Sequence, residues 1–332
     1  MRERANFIDT CKVLAILLVV ETHARELSGV VLSDYKLTSF FYSVDRLGVV
    51  LFFCCSGFLV FTYGAGSFNK ILKRILLLSL SLSVFSIITN AIYSWIHGSG
   101  FYDSAITAIK YNNIIIRNDT WKAIHLWFIK AFIPVFVIGS MLVKTKFMDK
   151  PTWHLPIALF IFGYMSHLVV YYFPESYFSI LDLGPVFSYL FLFVSGYYLF
   201  NVWKEKALSA NLAGVVSISF ILITWLLQCS NEETWRLYRS YATSPSLAIS
   251  GIFLFVFFSQ YNKEIKFFKA ISNHSFGIYL THYPVMLMVT SYFSKIGING
   301  YMLAAISLAI SFPAALLATS AIKKTPLRKL VS

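Results

Sequence analysis

Apolar runs of about twenty residues recur ten times along this chain, near 7–27, 40–63, 71–96, 124–143, 154–173, 182–201, 211–229, 243–260, 274–294 and 299–321. A helix needs about twenty such residues to cross a hydrocarbon core. In that core every backbone polar group must be satisfied within the segment, which leaves helices as the natural solution for runs of this length. The expectation is an all-α, polytopic integral membrane protein of about ten transmembrane helices, forming one membrane-embedded domain over 1–332. Composition agrees: only 13% of residues are charged and mean hydropathy is +0.69, where soluble domains carry roughly a quarter charged residues. The N-terminus has the basic start and apolar run of a signal peptide. Asp9 and Lys12 interrupt it and no small-residue cleavage site follows, so the expectation is a retained first span.

The net charge of +13 does not point to nucleic acid. The cations sit in short loops between apolar runs, where topology and anionic lipid headgroups account for them. Seventeen Lys and Arg fall on the N-terminal side of the alternating spans and eight on the other. Both termini are therefore expected in the cytoplasm. The longest connection, roughly 97–123, then faces outward with Tyr102, Asp103, Tyr111, Asn112, Asn113 and Trp121, as a lid or acceptor platform. Cys11, Cys54, Cys55 and Cys229 show no CxxC or Cys/His spacing and read as small buried hydrophobes.

Some residues do not belong in hydrocarbon. The first span carries Asp9, Lys12, Glu21 and His23, and a charge at the bilayer centre costs about 2.5–3.5 kcal/mol on insertion scales. Lys12 and His23 are eleven residues apart, which places them within about 20° of one another and about 16 Å apart along a helix. Asp9 lies on the same side, whereas Glu21 points nearly opposite. One face thus carries a fixed cation at the cytoplasmic end and an imidazole at the outer end. Imidazole is the side chain best suited to take a proton from a hydroxyl near neutral pH. Snorkelling by Lys12 and a packing role for His23 are the alternative.

Other spans add candidates. Asp45 and Arg46 open the second span near its outer boundary, as a local charge pair or as ligands. Ser56 lies deeper, where its hydroxyl bonds its own helix or the substrate. Ser56-Gly57-Phe58 is echoed by Ser195-Gly196-Tyr197, a pattern that close helix packing explains as well as a repeat does. Lys70, Lys73 and Arg74 share one helical side at the cytoplasmic end, suited to topology or to a phosphorylated ligand. His125 and Trp127 open the fourth span, and Tyr279 and His282 share a face of the ninth. Three histidines on three spans raise the question of a metal, but no HExxH-like spacing supports one, and none is expected.

Together these motifs resemble the acyltransferase 3 family of integral membrane O-acyltransferases. The resemblance rests on IDTCKVLAILLVVETH, in which Lys12-x10-His23 fits the family's basic-x10-His motif. It rests also on RLGVVLFFCCSGFLV with its FFxxSG core, NKILKRI, HLWF at 125–128 and SFGIYLTHYPV at 275–285. The short form, with TWRLY at 234–238 and a tail ending RKLVS, is most similar to the enterobacterial common antigen O-acetyltransferases. The family's usual arginine in the first motif is lysine here, which keeps the charge and loses bidentate recognition. The resemblance implies acetyl transfer from cytoplasmic acetyl-CoA, as co-substrate with no bound cofactor, to a hydroxyl of a cell-surface glycan or its lipid-linked precursor. It implies a multi-pass protein of the bacterial inner membrane. His23 would be the catalytic base; Lys12, Lys70, Lys73 and Arg74 would bind the donor. Arg46, Ser56, His125, Trp127, Tyr279 and His282 would serve the acceptor or the oxyanion, with Asp9 in support. The competing classes are a secondary transporter, whose intramembrane charges would relay protons, and a non-catalytic membrane partner of polysaccharide assembly.

Overall fold

A computed structural model of the chain describes residues 5–30, 35–111, 122–145, 154–172, 184–206, 209–230 and 244–332. All regular structure among them is helical: α1 (Phe7–Leu27), α2 (Tyr35–Asp45), α3 (Leu47–Tyr63), α4 (Phe68–Ile96), α5 (Phe101–Tyr111), α6 (Trp127–Lys144), α7 (His154–Tyr172), α8 (Gly184–Glu205), α9 (Ala210–Ser230), α10 (Pro245–Ser259), α11 (Lys266–Ser272), α12 (Ser275–Lys295) and α13 (Gly300–Lys323), with short 3-10 turns at Ile124–Leu126 and Pro326–Leu330.

Helices occupy all ten apolar windows. Among the described residues six stretches are long and apolar enough to cross a membrane: Lys36–Tyr63, Phe68–Ile96, Ile124–Lys144, Pro185–Glu205, Ala210–Ser230 and Gly300–Lys323. The second window is not one straight helix, because α2 and α3 meet at Arg46. The 97–123 connection is not all loop either: 101–111 forms α5, in which Ser104 is buried and Tyr102 exposed. Its Asn112, Asn113 and Trp121, and the TWRLY stretch at 234–238, lie outside the described residues.

The chain divides into two compact units. The first holds Met1–Leu18, Lys36–Ile71 and Ala131–Lys269. Its centre is the crossing of α3 and α8, and the Ser-Gly echo is the crossing point. A Cβ on Gly57 would stand 1.7 Å from the Phe193 carbonyl oxygen, and one on Gly196 would stand 2.7 Å from the Cys54 Cα. Each glycine lets the other helix's backbone come close, as small residues do where helices pack in lipid. Around this crossing Phe53 stacks on Tyr189 with centroids 4.9 Å apart, and Phe7, Phe58, Phe200 and Phe255 form an aromatic cluster. Hydroxyls join α9 to α10: Ser217 donates to the Ser250 carbonyl at 3.0 Å and Thr224 to Ser246 at 2.8 Å.

The second unit holds Val19–Tyr35, Leu72–Lys130 and Ala270–Ser332. Here α12 packs along α13, with the Thr281 hydroxyl donating at 2.9 Å to the Gly277 carbonyl and lying 3.2 Å from that of Ala315. Both helices contain a proline, Pro284 and Pro313, tolerated in such settings where neighbours re-satisfy the freed carbonyls. The last residues fold back: Ser81 donates to the Leu330 carbonyl at 2.8 Å, and Val331 is fully buried.

Candidate active site

The second unit gathers three histidines from three separate elements. His23 comes from the last turns of α1, His125 from the 3-10 turn before α6, and His282 from the middle of α12. The rings of His23 and His282 stack at 5.5 Å with planes 27° apart. Those of His282 and His125 meet edge to face, also at 5.5 Å. Tyr279, one turn from His282, donates its hydroxyl proton to the His125 carbonyl and thereby ties α12 to the 3-10 turn. Phe128 closes against the Tyr279 ring at 5.6 Å, and Trp127 stands edge-on to Phe128.

Burial makes the cluster unusual. His125 is 1% exposed and His282 fully buried. Neither ring nitrogen of His125 closes a hydrogen bond of good geometry, although the Leu280 carbonyl lies nearby. His282 Nδ1 lies 3.1 Å from the Ile278 carbonyl, while its Nε2 has no such partner. An imidazole nitrogen buried without a partner costs about 1–3 kcal/mol, so groups of this kind call for an explanation. The His125 and His282 rings lie 5.5 Å apart, and a third histidine ring, that of His23, lies 5.5 Å from His282. Among the described residues no group of three or more His, Cys, Asp or Glu is placed to share a metal ion.

Two members of the cluster escaped the sequence reading. Tyr283 follows His282 and touches all three histidines: it stacks on His125 at 4.6 Å, presents its edge to His23 at 5.2 Å and meets His282 at 6.4 Å. Glu26 places Oε2 3.1 Å from His23 Nδ1. Its i, i+3 spacing on α1 was the available signal. Glu21, expected off the Lys12–His23 face, pairs instead with Arg25 at 3.3 Å.

The remaining candidates sit elsewhere. Lys12 is half-buried and Asp9 buried in the first turns of α1. Lys70, Lys73 and Arg74 are all exposed in the first turns of α4. In the first unit, Arg46 stands between α2 and α3 with its guanidinium 4.1 Å above the Tyr42 ring, and Ser56 is half-buried on α3.

Six helical stretches among the described residues are long and apolar enough to cross a bilayer, and the second unit buries a cluster of imidazoles and phenols, which together define a multi-pass membrane protein. The family model for the acyltransferase domain, Acyl_transf_3, matches residues 5–322, and the chain belongs to that acyltransferase 3 family. It is a membrane acyltransferase. No curated protein and no solved structure matches it.

Proposed function

We propose that this acyltransferase moves an acetyl group from cytoplasmic acetyl-CoA to a hydroxyl of a cell-surface polysaccharide or its lipid-linked precursor. The setting is the bacterial inner membrane, with about ten spans, both termini inside and the chain acting as one domain. Within this reading the similarity to enterobacterial common antigen O-acetyltransferases suggests the acceptor class. The observation that carries the proposal is the place of His23. It lies on α1, the helix that also bears Lys12, and stacks on His282 beside Tyr283.

The chemistry follows from these groups. The CoA phosphates, too polar for hydrocarbon, stay on cytoplasmic cations such as Lys70, Lys73 and Arg74. The pantetheine arm runs past Lys12, supported by Asp9, toward His23. His23 takes the proton of the acceptor hydroxyl as its oxygen attacks the thioester carbonyl carbon. A new C–O bond forms, the C–S bond breaks, and the CoA thiolate leaves and takes the proton back from the imidazolium. The negative charge on the carbonyl oxygen needs donors: His125 would supply a buried ring N–H, while Tyr279, whose proton goes to the His125 carbonyl, and His282, whose Nδ1 faces the Ile278 carbonyl, would serve only by giving up those partners. Arg46, Ser56 and Trp127 are assigned to the acceptor or oxyanion by motif alone. No resident cofactor is required.

The test is acetyl transfer by purified protein with acetyl-CoA and isolated glycan acceptor, comparing His23→Gln with the parent. An amide hydrogen-bonds but takes no proton at neutral pH, so the rate should fall by about 10²–10⁴-fold. Near-normal activity would move the base to His125 or His282.

A further inference from the structure

We infer that Glu26 is the positioning residue of the His23 base: its carboxylate holds the imidazole with the proton on Nδ1 and leaves Nε2 to take the acceptor's proton. The inference rests on the reading of His23 as the base. Its ground is geometric. Glu26 Oε2 lies 3.1 Å from His23 Nδ1, one helical turn further along α1. At that distance the carboxylate accepts a hydrogen bond from Nδ1–H, and the hydrogen bond on one ring nitrogen decides which nitrogen carries the lone pair.

The surroundings fix the ring as well as the tautomer. His282 stacks on one side of it and Tyr283 presents its edge at 83°. His23 is 9% exposed, so a ring flip that exchanged the two nitrogens would have to displace an aromatic neighbour. The other carboxylate on this turn, Glu21, lies against Arg25 Nε. The groups facing the His23 ring from α12 are His282 and Tyr283, with His125 behind them; none of these is a carboxylate, and Glu26 is the one that bonds the ring. When His23 accepts the hydroxyl proton on Nε2, the ring becomes positive, and the carboxylate at Nδ1 stabilises it until the proton passes to the departing thiolate. Glu26 itself touches no reacting atom in this scheme. Its side chain is 27% exposed, which keeps the effect below that of a fully buried carboxylate.

The experiment uses the full-length protein and compares Glu26→Gln, Glu26→Leu, His23→Gln and the double variant His23→Gln with Glu26→Gln, at matched membrane expression. Gln still accepts the Nδ1–H bond but carries no charge; Leu does neither. Expected is a graded fall in kcat, about tenfold for Gln and about a hundredfold for Leu, by analogy with the range seen when the outer partners of metal-bound histidines are removed. The acetyl-CoA KM should stay within about twofold. The double variant should be no slower than His23→Gln alone, because Glu26 acts through the ring that is gone. Equal losses in the Gln and Leu variants, a loss carried by KM, or a further fall in the double variant would overturn the inference. An inactive His23→Gln beside an unimpaired Glu26→Leu removes Glu26 and leaves the base in place. An active His23→Gln removes both.

Discussion

The Tyr283 ring lies flat against that of His125, centroids 4.6 Å and planes 13° apart, and turns its edge to His23 at 5.2 Å. One phenol ring therefore spaces two histidines that come from different elements. Its shape matters to both.

From this contact, Tyr283→Phe should keep most of the acetylation rate, since the ring is unchanged. Tyr283→Ala removes a side chain that is 4% exposed. Opening a cavity that large costs about 3–5 kcal/mol and frees both imidazoles. The measurement is acetylation per folded molecule, with thermal stability of the detergent-solubilised protein alongside. A Tyr283→Phe variant as inactive as Tyr283→Ala would instead give the hydroxyl a direct role.

The α3–α8 crossing offers a sharper stability test. Gly57→Ala would drive a methyl into the Phe193 carbonyl and Gly196→Ala into the Cys54 backbone, and neither obstacle is a flexible side-chain tip. Overpacking of this kind costs about 1–3 kcal/mol, occasionally more. Both variants should lose several degrees of melting temperature. Gly214→Ala, whose Cβ would meet only the Phe257 ring at 3.2 Å, should be tolerated better. Equal stability of all three would mean that the helices do not approach this closely.

That crossing also shows what the sequence could and could not say. The Ser-Gly echo is visible as a string, but only the packed helices show that its two copies face one another. Helix positions were legible because length and apolarity dominate them: α1 ends where the first window ends. The break at Arg46 was not, since an Asp45-Arg46 pair marks no helix end by itself and the guanidinium settles over Tyr42. The His23 face was readable from an eleven-residue spacing. Its junction with His125 and His282 depends on tertiary contacts that no local period encodes. Notably, α1 and α12, which carry His23, Glu26, Tyr279, His282 and Tyr283, are absent from the six long apolar stretches. In α1 the charges Asp9, Lys12, Glu21 and Arg25 weaken the membrane signal, and in α12 the polar Tyr279, His282 and Tyr283 of the cluster lower its hydropathy.

The exposed cations at the start of α4 give the donor prediction. If Lys70, Lys73 and Arg74 hold CoA phosphates, replacing all three with Gln should raise the acetyl-CoA KM at least about tenfold, as the loss of a charge-assisted contact implies. The acceptor KM should not move. Added salt should raise the parent's donor KM more than the variant's, because exposed ion contacts are screened. Unchanged donor dependence would leave these residues to topology.

Orientation has its own test. If the excess of Lys and Arg on the N-terminal side of the spans sets the orientation as proposed, both termini lie in the cytoplasm. A reporter fused after Ser332 should be active only in its cytoplasmic form. Activity of a periplasmic reporter would overturn the even number of spans and the proposed direction of acetyl transfer.

The last prediction concerns a carboxylate outside the site. Arg25 is 1% exposed and its Nε lies 3.3 Å from Glu21 Oε1 one turn earlier on α1. Removing one member of a buried pair leaves the other charge uncompensated, at about 3–5 kcal/mol when both are dry. Glu21 is 28% exposed on its side chain, so water recovers part of that, and Glu21→Ala should cost nearer 1–3 kcal/mol. Glu21→Gln keeps an acceptor for the guanidinium and should cost less. Replacing both partners, Glu21→Leu with Arg25→Met, should recover stability relative to Glu21→Ala, since neither member of that pair then carries a charge. In each case kcat per folded molecule should stay close to the parent's, because neither side chain belongs to the histidine cluster. Melting temperature and acetylation of the same purified samples decide it: a kcat that falls while stability holds would bring Glu21 into the reaction.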